Sequence, residues 1–560
     1  MTKFVVVVGG VISGVGKGVT TASIGKIIKE HGYTVTIIKI DPYINCDAGT
    51  LRPTEHGEVW VTSDGGEVDQ DLGTYERFLD QDIPKHNNMT TGQIYKAVID
   101  RERSGGYLGQ TVQFIPHISD EIIRRIKLAS AGYDLAVIEI GGTVGDYENK
   151  PFLFAIRALE RELGRDSVLY VLVAYLPVPD HIHEMKTKPA QQAIKLLNEE
   201  GISPDFIICR SRHAVDEERK RKIETYANIS SEYVIAAPDI DTIYQIPLDL
   251  EKEKVGEKIL KKLNLTSRIA PDWSTWAHSV ASIKNPHTHI KIGIIGKYLN
   301  TGDYSLTDSY LSIGQALIHA GAALQIGIDV VWLDAKEFDQ PNHTHAHLDT
   351  LDGIIVPGGF GATGVEGKIN VIQYARTNNI PYLGLCYGMQ LAAVEFARNV
   401  CGMAGAHSTE VNTHTAYPII DILPLQKQML QDNAYGGTMR LGAYHATLTK
   451  NSCVDKVYHA AQYTELPESN QELDSLATES VSERHRHRYE INPAYISTLE
   501  AHGLRFSGWH VRSDGTKLME FLELPEHPFF IATQAHPEFN SRLGNPNPLF
   551  YKFIKACNQQ

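Results

Sequence analysis

The sequence lacks the features that would send a protein out of the cell or into a membrane. Its 6 cysteines, at positions 46, 209, 386, 401, 453 and 557, are scattered with no C-x-x-C pair. That pattern fits reduced thiols rather than a disulfide framework. The longest apolar stretch, 168–178, contains Pro177 and falls well short of the ~20 residues a spanning helix needs. The opening M-T-K-F-V-V-V-V-G-G is too short an apolar run for a signal peptide and runs straight into a glycine motif. A basic surplus is absent too: 53 Lys and Arg stand against 67 Asp and Glu, for a net charge of −14. That balance argues against a general nucleic-acid binder. There is no internal repeat. The expectation is a cytoplasmic protein with neither nucleic acid nor membrane as partner. Any polyanionic ligand must be held by local Lys, Arg and backbone N–H groups.

What is present is ordinary globular material. The chain has 560 residues, 42% of them hydrophobic and 21% charged, enough for two large domains with sizeable cores. In the first half, nearly continuous β-branched and apolar runs at 3–8, 34–40, 135–140, 168–176, 206–209 and 233–236 predict parallel strands covered on both faces. Helical spacing between several of them, at 20–30 and 120–129, completes βαβ units. The alternation lapses near 263–289 and restarts with H-I-K-I-G-I-I-G-K-Y at 289. The fold class is α/β in two domains, each a mostly parallel sheet with flanking helices. The expected boundaries are 1–266, a linker over 267–288, and 289–556. A polar, unpatterned stretch at 465–483 reads as a mobile surface insertion. N-H-T-H-A-H at 342–347 reads as a surface loop, because no cysteine or carboxylate pattern beyond Asp349 makes it a metal site.

Chemistry concentrates at strand ends. At 384–388 an apolar strand turns through G-L-C-Y-G into a helix, the layout of a nucleophile elbow. The glycines relieve crowding, and the helix N-terminus favours a thiolate at Cys386. Alone, such a cysteine is more often a buried structural residue. Two distant features change that reading. Upstream, G-I-I-V-P-G-G-F-G at 353–361 is a strand running into a glycine-rich turn whose N–H groups suit an oxyanion. Downstream, F-F-I-A-T-Q-A-H-P-E-F at 529–539 is a strand ending in His536, with Glu538 two residues on. Nucleophile, base and orienter form a set for acyl transfer, and the three motifs together resemble a class I glutamine amidotransferase. In the first domain, G-G-V-I-S-G-V-G-K-G at 9–18 is a phosphate-cradling loop in kind. It departs from the Walker A pattern, with Val11 for the first glycine and Gly18 for the Ser or Thr. Asp69, Asp71 and Glu139 are carboxylates suited to Mg²⁺, which takes one or two of them with phosphate and water. Asp69 alone reads as part of a solvated acidic loop. Glu139 ends an apolar strand, where an unpaired carboxylate is costly.

In order along nearly the whole chain, the motifs resemble those of the CTP synthases. The first half supplies K-I-D-P-Y-I-N, H-G-E-V, D-L-G-x-Y-E-R, N-N-M-T-T-G-Q-I-Y, Q-F-I-P-H-I, E-I-G-G-T-V-G-D-Y-E and M-K-T-K-P-A-Q. The second supplies G-K-Y, L-T-D-S-Y, G-G-F-G, G-L-C-Y-G, G-G-T-M-R-L-G, R-H-R-H-R-Y-E and H-P-E-F. The resemblance implies a P-loop-like amidoligase (synthetase) domain and a C-terminal glutaminase domain. Together they would aminate UTP to CTP with ATP, Mg²⁺ and ammonia from L-glutamine, through UTP phosphorylated on O4.

Residue by residue, it implies ATP binding by Ser13, Gly14, Val15, Gly16, Lys17, Gly18 and Asp71, with Lys17 and Lys39 catalytic and Asp71 and Glu139 on Mg²⁺. Ser13, Lys186, Thr187, Lys188, Pro189, Ala190, Gln191 and Lys222 match UTP positions. Ser13, Asp146, Tyr147, Glu148, Lys186, Gln191 and Lys222 match those for inhibitory CTP, with Tyr147 where the family often has Ile. Gly359, Tyr387, Gly388, Met389, Gln390, Glu410 and Arg488 match glutamine-binding positions. Glu410 suits the substrate ammonium and Arg488 its carboxylate. His56 matches a gate on the ammonia path. The resemblance also implies GTP as activator, a homotetramer, and filaments as a further form of assembly. Alone, R-H-R-H-R at 484–488 suggests a nucleic-acid patch, but one short basic run is weak ground in a chain this acidic. Two rival readings are a relative amidating another carboxylate or carbonyl, such as a cobyrinate-type or biotin-precursor ligase, and a non-catalytic assembly protein. K-T-K-P-A-Q with D-Y-E counts against the first, and the joint presence of Lys17, Glu139, Cys386 and His536 against the second.

Overall fold

The computed structural model describes residues 2–52, 56–297, 300–301, 304–305, 307–339, 345–359, 361–422, 439–459 and 480–559. The chain forms two compact units. One is Met1–Thr50 with Glu67–Lys284, and the other is Leu51–Gly66 with Asn285–Gln560. The division therefore differs from the expected one: a short excursion, Leu51–Gly66, leaves the N-terminal half and belongs to the C-terminal unit.

In the first unit the apolar runs become β1 (Lys3–Gly9), β2 (Val35–Asp41), β3 (Asn88–Thr90), β4 (Leu135–Ile140), β5 (Val168–Tyr175), β6 (Phe206–Ser211) and β7 (Val234–Pro238). They form one sheet ordered β3-β2-β4-β1-β5-β6-β7, and every adjacent pair is parallel. Strands buried on both faces need no polar side, which is why their sequences do not alternate. The register sets Lys39 of β2 and Val7 of β1 on either side of Glu139 of β4. Among the helices are α1 (Lys17–Glu30), α2 (Asp71–Leu79), α3 (Lys188–Glu199) and α4 (Glu217–Ala227). Val6, Ile38, Ile138 and Leu172 from the strands pack with Phe152, Ile156 and Ile194 in one core. The expected linker is instead structured. Its helix α5 (Ser274–Lys284) buries Trp276 and Val280 and is part of this unit.

The second unit is built on β8 (Thr288–Gly296), β9 (Ile326–Asp334), β10 (Gly353–Val356), β11 (Tyr382–Leu385), β12 (Arg440–Leu448), β13 (Ser480–His487), β14 (Arg505–Val511), β15 (Lys517–Glu523) and β16 (Phe530–Thr533). The sheet order is β9-β8-β10-β11-β16-β15-β14-β12-β13. Pairing is parallel from β9 to β16 and antiparallel from β16 to β13. Helices α6 (Val365–Thr377) and α7 (Tyr387–Asn399) cover one face through Ile369, Ile372, Leu391 and Val394. Leu311–Leu324 and Pro548–Cys557 cover the other through Ile313, Leu317, Phe550 and Phe553. The expected insertion at 465–483 is shorter than its sequence suggests. Residues 480–483 begin β13, and Glu483 is buried, accepting hydrogen bonds from Tyr458 at 2.7 Å and Asn540 at 2.6 Å. Residues 465–479, and 342–344 of the histidine-rich loop, lie outside the described residues. Among the described residues no helix is long and apolar enough to cross a membrane.

Trp276 shows how firmly α5 is built into the first unit. Its indole N–H donates to the Tyr244 carbonyl at 2.7 Å, and its ring lies 5.6 Å from Phe78 and 5.7 Å from Tyr244 between centroids. Trp276→Ala is expected to destabilise this unit by about 3 kcal/mol, as buried large-to-small changes do. A chemical-denaturation midpoint equal to wild type would return α5 to the status of a linker.

Candidate functional site

Two clusters of chemistry-bearing residues form, one in each unit. In the second unit, β11 ends at Cys386, whose backbone is held at φ 50 and ψ −98 immediately before α7. A cysteine pays strain for a positive φ, and close packing enforces it. A Cβ on Gly384 would come within 2.7 Å of the Ala532 side chain, and one on Gly388 would collide with the Val356 carbonyl. The Cys386 N–H donates to Thr533 of β16 at 2.8 Å, which brings the next turn of the chain alongside. There the His536 backbone N–H donates to the Arg484 carbonyl at 2.7 Å, and its ring Nδ1 lies 2.7 Å from Glu538 Oε1. Burial alone would push the imidazole pKa down. Glu538 and Cys386, both hydrogen-bonded to it, outweigh that and raise it to about 10. A histidine of raised pKa beside a thiol is placed to exchange a proton with it. Gln534 Nε2 lies 3.7 Å from Cys386 Sγ.

The glycine-rich turn after β10 is fixed at both ends. Lys368 Nζ donates to the Pro357 carbonyl at 2.9 Å, and Lys297 Nζ to the Gly361 carbonyl at 2.6 Å. The Gly361 N–H donates to Glu410 Oε1 at 2.8 Å. Burial drives the Lys368 ammonium well below its ordinary range and Lys297 down to about 8. A Cβ on Gly358 would sit 2.9 Å from His536 Cε1 and 3.6 Å from Cys386 Cβ, so this turn lies against both reactive residues. Gly359 belongs to it; Phe360 is outside the described residues. Gln390 is buried, donating to the Tyr489 carbonyl at 2.9 Å and Gln534 Oε1 at 3.2 Å. The charges of Glu410 and Arg488 both act on Tyr489, placing them in the same region. Tyr387, Gly388 and Met389 form the first turn of α7. R-H-R-H-R is no surface patch: Arg484, His485 and His487 are buried on β13. His56 is exposed in the Leu51–Gly66 excursion, its N–H bonded to Arg52 at 3.1 Å.

In the first unit the phosphate loop joins β1 to α1. Gly14 and Gly16 take φ 72 and 82, and no side chain caps the helix at Gly16. With no acidic residue in its first turn, this helix start suits an anion. Gly18 now has a physical reason: a Cβ there would collide with the Asp71 carboxylate. Lys17 Nζ donates to the Gly142 carbonyl at 2.7 Å, and burial lowers its pKa against the pull of Glu139. Lys39 is buried amid four carboxylates. It contacts Asp71 and lies 3.5 Å from Asp69, 3.5 Å from Glu139 and 3.6 Å from Asp41. Their summed charge overcomes its burial and raises its pKa, while burial raises Asp41 to about 7. Asp69 is thus part of this cluster rather than of a solvated loop. Tyr75 Oη donates to Glu139 at 2.5 Å.

Among the described residues no three acidic, His or Cys groups form a metal cage. A site of two hard carboxylates completed by phosphate oxygens, with excess negative charge around it, still fits Mg²⁺. Lys186 pairs with Glu184 at 2.6 Å, Arg219 approaches the same carboxylate at 3.6 Å, and the Lys222 charge also lowers its pKa. Thr187, Lys188, Pro189, Ala190 and Gln191 make the start of α3, with the Gln191 N–H on the Thr187 carbonyl at 3.0 Å. Asp146 turns back onto Thr143, at 2.6 Å from its N–H. Tyr147 and Glu148 line a cavity of ≈ 670 Å³ with Tyr43, Tyr95, Phe114 and Phe154.

Sequence reading missed Lys368, Lys297, Gln534 and Arg219. Lys368 had a signal: it falls three residues after Val365 and four before Ile372, on the buried stripe of α6.

A thiol at a glycine-relieved elbow, a His–Glu pair and a tethered glycine turn define a class I glutamine amidotransferase unit. The glutamine amidotransferase class-I family model matches residues 305–556, and the model for the CTP synthase N-terminus matches residues 3–265. The chain is 49% identical over 559 residues to a CTP synthase of Methanocaldococcus jannaschii, covering 99% of this chain and 98% of that one. It is 48% identical to a CTP synthase of Pyrococcus abyssi, covering 100% and 98%. A solved Trypanosoma brucei CTPS glutaminase domain with bound acivicin is 36% identical, covering 48% of this chain and 94% of that one at a TM-score of 0.41. The chain belongs to the CTP synthase family.

The Glu538–His536 pairing has a measurable consequence. Because folding raises the histidine pKa from 6.5 to about 10, its stabilisation is complete below pH 6.5 and is lost as pH rises through about 10. Glu538→Gln is therefore expected to melt below wild type at pH 7, with the gap closing by pH 10. A gap that stayed constant across that range would separate the histidine charge from Glu538.

Proposed function

We propose that the chain makes CTP by ATP-dependent amination of UTP, with ammonia cut from L-glutamine in the second unit. The observation that carries this is the Cys386–His536–Glu538 constellation in the same chain as Lys17 and Lys39 at a carboxylate-rich phosphate loop. In the glutaminase unit, Cys386 attacks the side-chain amide carbon of glutamine and His536 protonates the departing ammonia. Water, deprotonated by His536, then cleaves the thioester to glutamate. Glu538 holds the imidazole in orientation, and N–H groups around Gly359 and Tyr387 receive the oxyanion. Gln390, Glu410 and Arg488 hold the rest of glutamine.

In the synthetase unit, the uracil O4 is a poor leaving group. Transfer of the γ-phosphoryl group of ATP to O4 makes it a good one. Ammonia then adds to C4, and phosphate departs with the C4–O4 bond. Lys17 and Lys39 neutralise charge on the transferred group, and Ser13 to Gly18 cradle the ATP phosphates. Asp71 and Glu139 would hold Mg²⁺, which supplies further charge neutralisation at the phosphates. Lys186, Lys222 and the start of α3 take the UTP triphosphate. CTP shares that triphosphate site, and its ring falls near Asp146, Tyr147 and Glu148, where the aromatic cavity supports ring binding. GTP activates, ammonia passes by His56, and the enzyme works in the cytoplasm as a homotetramer.

Incubating the protein with UTP, ATP, Mg²⁺ and glutamine and detecting CTP tests the whole reading. Lys17→Ala is expected to abolish CTP formation from glutamine and from free ammonia alike, since both need activated UTP. Cys386→Ala is expected to lose only the glutamine route. A Cys386→Ala protein that still used glutamine would sink the nucleophile assignment. Glu148→Lys is expected to weaken CTP inhibition with little change at saturating UTP. An unchanged inhibition curve would remove this segment from the inhibitor site.

A further inference from the structure

The Leu51–Gly66 excursion reaches the reactive histidine of the second unit. Trp60 is almost completely buried, 1% exposed. Its ring meets Phe539 at 4.8 Å between centroids, and Phe539 stacks on His536 at 5.3 Å with their planes 17° apart. The next residue acts on the histidine backbone. The Val61 carbonyl accepts a hydrogen bond from Arg484 Nη1 at 3.0 Å, the Arg484 guanidinium lies 5.2 Å from the Trp60 ring centroid, and the Arg484 carbonyl holds the His536 N–H. The excursion is itself pinned on both sides. Glu58 accepts from the Ser312 N–H at 2.9 Å, and the Ser63 carbonyl accepts from Ala443 at 2.9 Å.

We propose that Trp60 is a positioning residue for the glutaminase reaction, setting the plane of the His536 ring through Phe539 and its backbone through Arg484. Hydrogen bonds to Glu538 at Nδ1 and to Cys386 hold the His536 ring at two points but leave it free to pivot about the line between them. The aromatic column removes the pivot, so the opposite nitrogen stays directed at Cys386. The role rests on the glutaminase reading above. It adds that the decisive support comes from a segment whose flanking residues on both sides belong to the phosphate-loop unit. A ring turned away from the thiol still leaves glutamine able to bind, so the loss falls on turnover rather than on affinity.

The test compares Trp60→Leu, Trp60→Phe and Phe539→Leu in the full-length protein. Glutamate release is measured against glutamine concentration, and CTP formation from added ammonia is measured in parallel. Trp60→Leu and Phe539→Leu are expected to lower kcat for glutamate release roughly 10- to 100-fold, with KM within about twofold of wild type. Trp60→Phe, which keeps a ring on Phe539, is expected to restore most of kcat. Ammonia-driven CTP formation is expected to stay near wild type in all three. If Trp60→Leu fails to fold, Phe539→Leu and Trp60→Phe decide the matter. Wild-type kcat in the leucine variants, a loss confined to KM, or equal damage from Phe and Leu at position 60 would overturn the proposal. A wild-type protein that released no glutamate would instead overturn the glutaminase reading, and the two failures are distinguishable.

Discussion

The second unit depends on one backbone constraint: Cys386 at φ 50. A non-glycine residue there costs on the order of 1 kcal/mol or more, and it persists because its surroundings allow no other path. Parallel strands β10, β11 and β16 bring three chain turns to one edge. For the turns to pack, the backbone must approach within distances that side chains would block, hence glycine at 384, 388 and 358. The same crowding lets the His536 turn, the glycine-rich turn after β10 and the first turn of α7 meet at one sulfur. The Lys368 and Lys297 bonds to carbonyls at both ends of the glycine-rich turn keep that turn from relaxing. Burial disfavours the charged form of both lysines, and each still donates to a carbonyl of this turn.

Much of this was legible. Strands buried on both faces advertise themselves as unbroken apolar runs, so β1, β2, β4, β5, β6 and β7 sit within two residues of where the sequence places them. Cys386 and His536 follow such runs, and Glu538 comes two residues after His536, so the sequence points to all three. What was missed had no comparable signal. β3 is three residues, N-M-T, on the sheet edge, too short and polar for any period. The start of β13 continues a polar stretch without a composition change. Its buried charge, Glu483, is satisfied by tertiary partners, Tyr458 at 2.7 Å and Asn540 at 2.6 Å. α5 follows a Pro-containing lapse and is held by one tryptophan rather than by a long apolar stripe. The Leu51–Gly66 excursion was invisible because its residues look like any loop. Only Trp60, an aromatic in a charged neighbourhood, hinted that the segment packs somewhere.

The two clusters use electrostatics in opposite ways. Around Cys386 the protein gathers one strong ion pair, His536 with Glu538, neutral donors from Gln390, Gln534 and backbone N–H groups, and lysines whose charge burial disfavours. Reactivity there needs a thiolate and a proton carrier, and a surplus of either sign would shift both away from their task. Around Lys39 the protein instead crowds four carboxylates onto one buried cation, and burial raises Asp41, Asp69 and Glu139. Such a surplus is unfavourable in the unliganded protein. A further positive charge would offset it, which is the electrostatic reason the carboxylates suit the cation proposed above. Lys39 is the internal counter-ion that lets Asp71 and Glu139 stand together in a buried cluster.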